Sequence, residues 1–170
     1  MSPEMSLEMS PEMSTETDTL PTCSIARALD LVGDRWALLI LREAHRGFTR
    51  FADFREVLGI APNILANRLA ALVEAGVLEK REYRAEGERT RSSYHLTPAG
   101  VDLKIVLAAL QQWGDVHVPR ADGPTVLRRN TRTGGLATVG FLDENGEPVP
   151  AEDVAFEPVP GGPADRRIWR

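Results

Sequence analysis

Apolar residues recur three and four positions apart through residues 23–118, the period of helices that bury one face. The first repeat is Ile25, Leu29, Val32, Trp36, Leu39 and Ile40, broken at Gly33-Asp34 and restarted by Asp34-Arg35-Trp36. Residues 38–41 are apolar on nearly every side, which predicts burial against more than one neighbour. After a turn at His45-Arg46-Gly47, Phe51, Phe54, Val57 and Leu58 predict a helix that Thr49 caps and Gly59 ends. Pro62 opens another helix, running to about Ala75, where its missing N–H costs nothing. Leu65, Leu69, Leu72 and Val73 make its inward face. Asn63, Asn67, Ala70 and Ala71 lie outward, with Arg68 on the flank and Gly76 just past the end.

The period then changes. Residues 77–84 and 89–96 read as two extended arms around a turn at 85–88, a hairpin carrying Arg84, Arg89 and Arg91. Thr97 and Pro98 start a further helix, whose stripe of Leu103, Val106, Leu107, Leu110 and Trp113 suits either the protein's own core or a dimer surface shared with the first helix. From Ala121 the composition shifts to Gly, Pro and short strand-like runs at 136–142 and 143–149, with a hairpin-turn signal at Asn145-Gly146.

Two helices joined by a short turn, the second presenting amides and an arginine on a face of little bulk, form the pattern that enters the DNA major groove. Asn can pair bidentately with adenine there, and Arg with guanine. A plain αα-hairpin with a solvated outer face has the same pattern. The basic hairpin that follows reads as a wing, with Arg84, Arg89 and Arg91 placed for phosphates or a minor groove. Glu82, Glu86 and Glu88 also fit a solvated edge hairpin.

Charge sharpens this division. The net charge of −5 over 170 residues is unevenly spread: residues 1–20 hold five acids and no base, 21–120 hold 14 Lys and Arg against 12 Asp and Glu, and 121–170 hold six against eight. Only the middle is net basic. Residues 1–16 are four copies of Met-Ser-x-Glu containing every methionine, a low-complexity acidic tail expected to be disordered. The tail lacks the basic start and apolar core of a secretory signal, and no run reaches the ~18 apolar residues of a membrane helix, so a cytoplasmic protein without membrane contact is expected. The domain boundaries are therefore 1–20, 21–120 and 121–170. A single cysteine, Cys23, excludes an internal disulfide, and His45, His95 and His117 have no metal-like spacing. Neither an enzyme nor a cofactor is indicated.

Cys23, Leu29-x-x-x-Gly33-Asp34-Arg35-Trp36, Arg50-Phe51, Gly59-Ile60, Leu65-x-x-Arg68-Leu69-x-x-Leu72, Gly76, Tyr94-x-Leu96-Thr97, Gly100 and Trp113-Gly114 together resemble the HxlR-type branch of bacterial winged-helix regulators, relatives of the MarR group. The resemblance covers about residues 21–118. It implies a mainly α, dimeric winged helix-turn-helix fold with a small β-wing, followed here by a small C-terminal β-hairpin extension. The implied function is sequence-specific transcriptional regulation by a homodimer on a roughly palindromic operator in double-stranded DNA, with some relatives answering to oxidants, electrophiles or small aromatic effectors. On that reading Asn63, Asn67 and Arg68 enter the major groove, Arg50 anchors the preceding helix on the backbone, and Arg84, Arg89 and Arg91 serve the wing. A ligand pocket is expected near Trp36, Leu39 and Trp113.

The chain departs from the family pattern at informative places. Ala61 stands where relatives usually have Ser, removing a side-chain N-cap worth about 1 kcal/mol, and Asn63 replaces a frequently basic residue. Cys23 matches a sensor cysteine of some relatives; a helix N-terminus and Arg27 favour its thiolate, although a small buried hydrophobe fits the position too. The extension resembles a zinc ribbon whose knuckle positions, Thr133-Gly134 and residues 142–146, carry no cysteine, so no thiolate zinc site is expected. The alternative to operator recognition is a winged-helix dimer that no longer reads DNA and serves ligand sensing or protein interaction, for which an acidic chain is natural.

Overall fold

A computed structural model describes residues 23–84, 91–157 and 159. The acidic tail, the wing turn at 85–88 and Arg89 lie outside these described residues. Six helices and two small antiparallel ribbons make up the rest: α1 Ser24–Val32, α2 Arg35–His45, α3 Phe51–Leu58, α4 Pro62–Glu74, β1 Leu78–Tyr83, β2 Arg91–Leu96, α5 Pro98–Asp102, α6 Lys104–His117, β3 Phe141–Leu142 and β4 Pro148–Val149, with a 3-10 turn at Ala151–Asp153.

The expected break between the first two helices is present, and Asp34 is its cause. The Asp34 carboxylate accepts from the backbone N–H of Trp36 and Ala37 at 2.9 and 3.3 Å, capping α2 after Gly33 has closed α1. Thr49 does not cap α3. Arg50 holds that position without a side-chain bond, because the Thr49 carbonyl is already taken by the Tyr94 N–H at 2.7 Å. Residues 49–50 thus run as a short third edge against β2, with a bridge between Arg50 and Ser93. Gly59 ends α3 at φ +60°, a conformation closed to most side chains, and donates to the Arg55 carbonyl. Pro62 starts α4 behind Ala61, which supplies no side-chain cap.

The core gathers the inward faces of these elements. Ile40, Leu41, Phe54, Leu65 and Leu69 are fully excluded from solvent, and Leu72, Val77 and Leu78 nearly so. α2 is packed by α3, α4, β2 and α6, as its all-round apolar segment requires. Its Glu43 carboxylate, also fully buried, accepts from Arg42 at 2.6 Å and Arg46 at 2.8 Å, pairing that a buried charge requires. The hairpin pairs Leu78 with Leu96 through to Tyr83 with Arg91.

Thr97 caps α5 as expected, accepting from the Gly100 N–H while its hydroxyl donates to the Gly76 carbonyl. The single helix predicted from residue 98 is divided at Leu103. Leu103 and Leu107 pack on the core, whereas Ile105, Val106, Leu110, Trp113 and Val116 remain exposed. In the extension, Asn145-Gly146 makes the predicted turn, but the strands shrink to two residues each. Residues 137–140 lie outside β3, and Leu136 meets Arg129 in an isolated bridge.

Candidate nucleic-acid interface

The fold turns the predicted reading face of α4 outward. Leu65, Leu69 and Leu72 hold one side of the helix in the core, and the same 3.6-residue period leaves Asn63, Asn67 and Ala70 exposed. Ile64, 37% exposed, is the one large apolar side chain in that first turn to reach solvent. The face is otherwise short and polar, so a groove floor can approach it closely.

Arg68 has a second role that sequence spacing did not reveal. Its Nε lies 3.0 Å from the Asp34 carboxylate, the same group that caps α2. One carboxylate therefore links the α1–α2 corner to the middle of α4. The pair is roughly 40% exposed on each side, at 42% and 37%. The side chain is thus a brace as well as a cation beside the reading face.

A second cluster forms where α3 begins and the wing leaves the body. Arg50 lies with its guanidinium carbon 5.6 Å from the Tyr83 ring centroid, a cation–π contact beside the hairpin. Arg50, Tyr83, Arg91 and Ser92 line a groove of about 520 Å³, with the first turn of α3 and Asp53 on its other side. Register explains the grouping: Tyr83 pairs directly with Arg91, and Arg50 bridges to Ser93 next along β2. Two cations beside the start of a helix suit an anionic phosphate, while Asp53 limits the net charge. Burial raises the Tyr94 phenol above its ordinary value, so it is a neutral wall of this groove. Tyr83 and Ser92 were not singled out by sequence; their signal was the hairpin register, legible only once the strand pairing was known.

Arg84 is exposed at the last described position of the first arm, and Arg89 lies outside the described residues. Cys23 is half-buried at the α1 N-cap, and Arg27 donates to Ser24 Oγ at 2.9 Å. The residues expected to line a ligand pocket lie on α2 and α6. Trp36 packs at the core edge and Leu39 is half-buried, whereas Trp113 is 60% exposed, its ring 5.0 Å from that of His117. At the junction of α2 with α5, His45 Nε2 donates to the Gly100 carbonyl at 3.1 Å; burial, the largest influence, holds its pKa below the ordinary imidazole value. Among the described residues no helix is long and apolar enough to cross a membrane.

Helix pair, outward recognition face and basic hairpin define a winged helix-turn-helix protein. Comparison with known families agrees, the HxlR-like helix-turn-helix family matching residues 31–122, and the chain belongs to that family of transcriptional regulators. It is 42% identical over 139 residues to an uncharacterised HTH-type transcriptional regulator of Mycobacterium tuberculosis, spanning 81% of this chain and 87% of the relative. The crystal structure of PA1607, named as a candidate transcription factor, is similar with a TM-score of 0.69 and 36% identity, covering 84% of this chain and 96% of that one. PA1374 of Pseudomonas aeruginosa is similar at TM-score 0.61 and 36% identity, over 87% of this chain and all (100%) of the other. Likeness at this coverage extends past the winged-helix body into the C-terminal extension.

Proposed function

We propose that the protein is a homodimeric repressor or activator that recognises an operator in double-stranded DNA through α4 and the wing. The observation that carries the reading is the exposed, low-bulk face of α4 braced by Arg68 and Asp34. Asn63 and Asn67 supply base readout, and Arg68 both braces the helix and adds positive charge beside it. Arg50 and Arg91, at the Tyr83 groove, take backbone phosphates, and Arg84, at the end of the first arm, adds charge to the wing, to which the sequence also assigns Arg89. Dimerisation uses α1 and α6. Ile25, Leu29 and Leu31 are 65%, 58% and 54% exposed, and Leu110, Trp113 and Val116 are 50%, 60% and 66% exposed, far more apolar surface than a solvated helix needs. Trp113 belongs to this dimer stripe, where a ligand near Trp36 and Leu39 could alter the spacing of the two reading heads. Oxidant or electrophile sensing by Cys23, at the start of α1, would act on the same stripe.

The test is binding of the purified protein to DNA upstream of its own gene, followed by fluorescence anisotropy at several salt concentrations against an unrelated duplex of equal length. Operator recognition predicts preference for the upstream DNA and a slope of log K against log salt of about −0.9 per phosphate contacted. Asn63→Ala with Asn67→Ala removes the preference but keeps most of the slope, whereas Arg50→Ala with Arg91→Ala flattens the slope for both duplexes. Absence of binding even at low salt would overturn the reading in favour of a dimer that senses ligands or binds proteins without reading DNA.

A further inference from the structure

The C-terminal extension meets α6 at two levels, and the levels differ. Near the middle of the helix the contact is tight: the Gln112 amide donates to the Val139 carbonyl at 2.8 Å and accepts from the Val139 N–H at 2.9 Å, in the manner of a strand partner. Gln111 donates to the Val126 carbonyl at 2.8 Å, and Asp115 pairs with Arg128 at 3.3 Å. One to two turns earlier the helix and the extension separate, leaving a groove of about 770 Å³.

Its walls are apolar. Ile105 and Ala108 rise from α6, facing Leu127, Ala137 and Val139 of the extension. The cations on its lining are Lys104, Arg128 and Arg129, with Asp102 as the one carboxylate. Arg128 is neutralised by Asp115, and Arg129 donates to the Gly134 carbonyl and forms no ion pair among the described residues. Lys104 forms no ion pair among the described residues, although its charge reaches His45. Lys104 and Arg129 therefore outweigh Asp102.

This groove is distinct from the dimer stripe. At about 100° per residue, Lys104, Ala108, Gln111, Gln112 and Asp115 share one side of α6, with Ile105 at its margin, while Val106, Leu110 and Trp113 fall on the opposite side. Leu103 and Leu107 point between them to the core. Each side of the helix thus has its own occupant: the body, a second copy, and the extension with its groove.

We propose that this groove binds a small apolar organic acid, its hydrocarbon part between Ile105, Ala108 and Leu127 and its anionic group at Lys104 and Arg129. The volume of this open groove lies in the range of small-molecule sites, and apolar walls with a few charges on the lining are what such sites require. A bound acid would join the extension to the N-terminal half of α6, where no hydrogen bond or ion pair links the two among the described residues. The proposal stands independently of DNA recognition, since no residue of the reading face takes part.

The experiment titrates the full chain with 1-anilinonaphthalene-8-sulfonate, an aromatic anion, and with the neutral N-phenyl-1-naphthylamine. Methyl NMR reports where each binds. The expected result is saturable binding of the anion, one per chain, with shifts at Ile105, Leu127 and Val139 and none at Val106 or Leu110. Lys104→Glu, an exposed substitution, should weaken the anion by about tenfold and the neutral probe by less than about twofold. Ala108→Trp, which fills the groove, should weaken both. Shifts confined to Val106, Leu110 and Ile25 would place the probe on the dimer stripe and overturn the proposal. So would anion binding that is indifferent to Lys104→Glu.

Discussion

The winged-helix body and the C-terminal extension are held together by different forces. Among the described residues, every buried apolar side chain lies between Val32 and Leu78. The extension buries none: Leu136, Phe141, Leu142 and Phe156 are 69%, 45%, 64% and 74% exposed. Its shape comes from side chains that close turns. Asn130 accepts from the N–H groups of Arg132 and Thr133, Thr133 accepts from Gly135, and Asp143 accepts from Asn145 and Glu147 at 2.8 and 2.9 Å. The body is thus a self-sufficient core, whereas the extension is a set of locally closed turns moored to α6.

The comparison breaks most visibly at Phe54, which is fully buried. Phe54→Ala should cost about 3–5 kcal/mol of global stability in urea unfolding, as large-to-small core substitutions do. Phe141→Ala, in the extension, should shift the same midpoint by less than about 1 kcal/mol. Equal losses would mean that the extension is part of the cooperative core. Gly100 is next. A Cβ there would stand 2.2 Å from the Val77 carbonyl oxygen, an overlap with backbone that cannot swing aside. Gly100→Ala should therefore cost about 1–3 kcal/mol by overpacking, seen as a lower melting temperature, and wild-type stability would refute the close approach.

Smaller effects separate the bracing of the reading helix from its chemistry. Asp34→Ala removes both the α2 cap and the partner of Arg68. A cap loss of about 1 kcal/mol is expected, with little added for a pair this exposed. Asp34→Asn should recover most of the cap but not the pair. If the brace matters, Asp34→Asn will change operator affinity more than it changes the melting temperature.

Much of the body was legible because its cues are local. Gly33-Asp34, Gly59, Pro62 and Thr97-Pro98 each set a helix end through their own backbone or side-chain chemistry, and the structure places those ends where the residues indicate. Thr49 misled because a tertiary bond overrode a local one: its strand-like pairing with Tyr94 shifted the cap to Arg50. Long-range pairings were hidden for the same reason. Neither the Arg68–Asp34 contact nor the approach of Tyr83 to Arg50 follows from any periodicity, since 34 and 33 residues separate the partners. In the extension, β-propensity predicted longer strands than form, because without a core face to bury there is little to extend a ladder beyond its turn.

Gln112 is the mooring that distinguishes the two regions most directly. Gln112→Ala deletes both hydrogen bonds to Val139 on a half-buried surface. Amide exchange should accelerate severalfold at residues 137–142 while the amides of α2 and α4 keep their protection, because the body has its own core. A uniform acceleration through both regions would erase the distinction.

Acid should open one turn of the extension in a lower pH window than the one in which it weakens the α2–α5 junction of the body. Backbone hydrogen bonds from Glu147 first, then Asn145, hold the Asp143 carboxyl below its ordinary value. A depressed carboxylate contributes stability that is present above its unfolded pKa and lost as pH falls through the folded one, so the turn should open only below the usual carboxylate range. His45 works in a different window. Its folded pKa is lowered, so its contribution is present above the ordinary imidazole value of 6.5 and declines as pH falls through that value, at the α2–α5 junction. Amide shifts of Asn145 and Glu147 should therefore move in a strongly acidic step, and those of Gly100 in a milder one. Asp143→Asn, which keeps an acceptor without a titrating proton, should abolish the first step and spare the second. Were both steps to vanish together, the two regions would share one cooperative unit, and the separation between core and moored turns would fail.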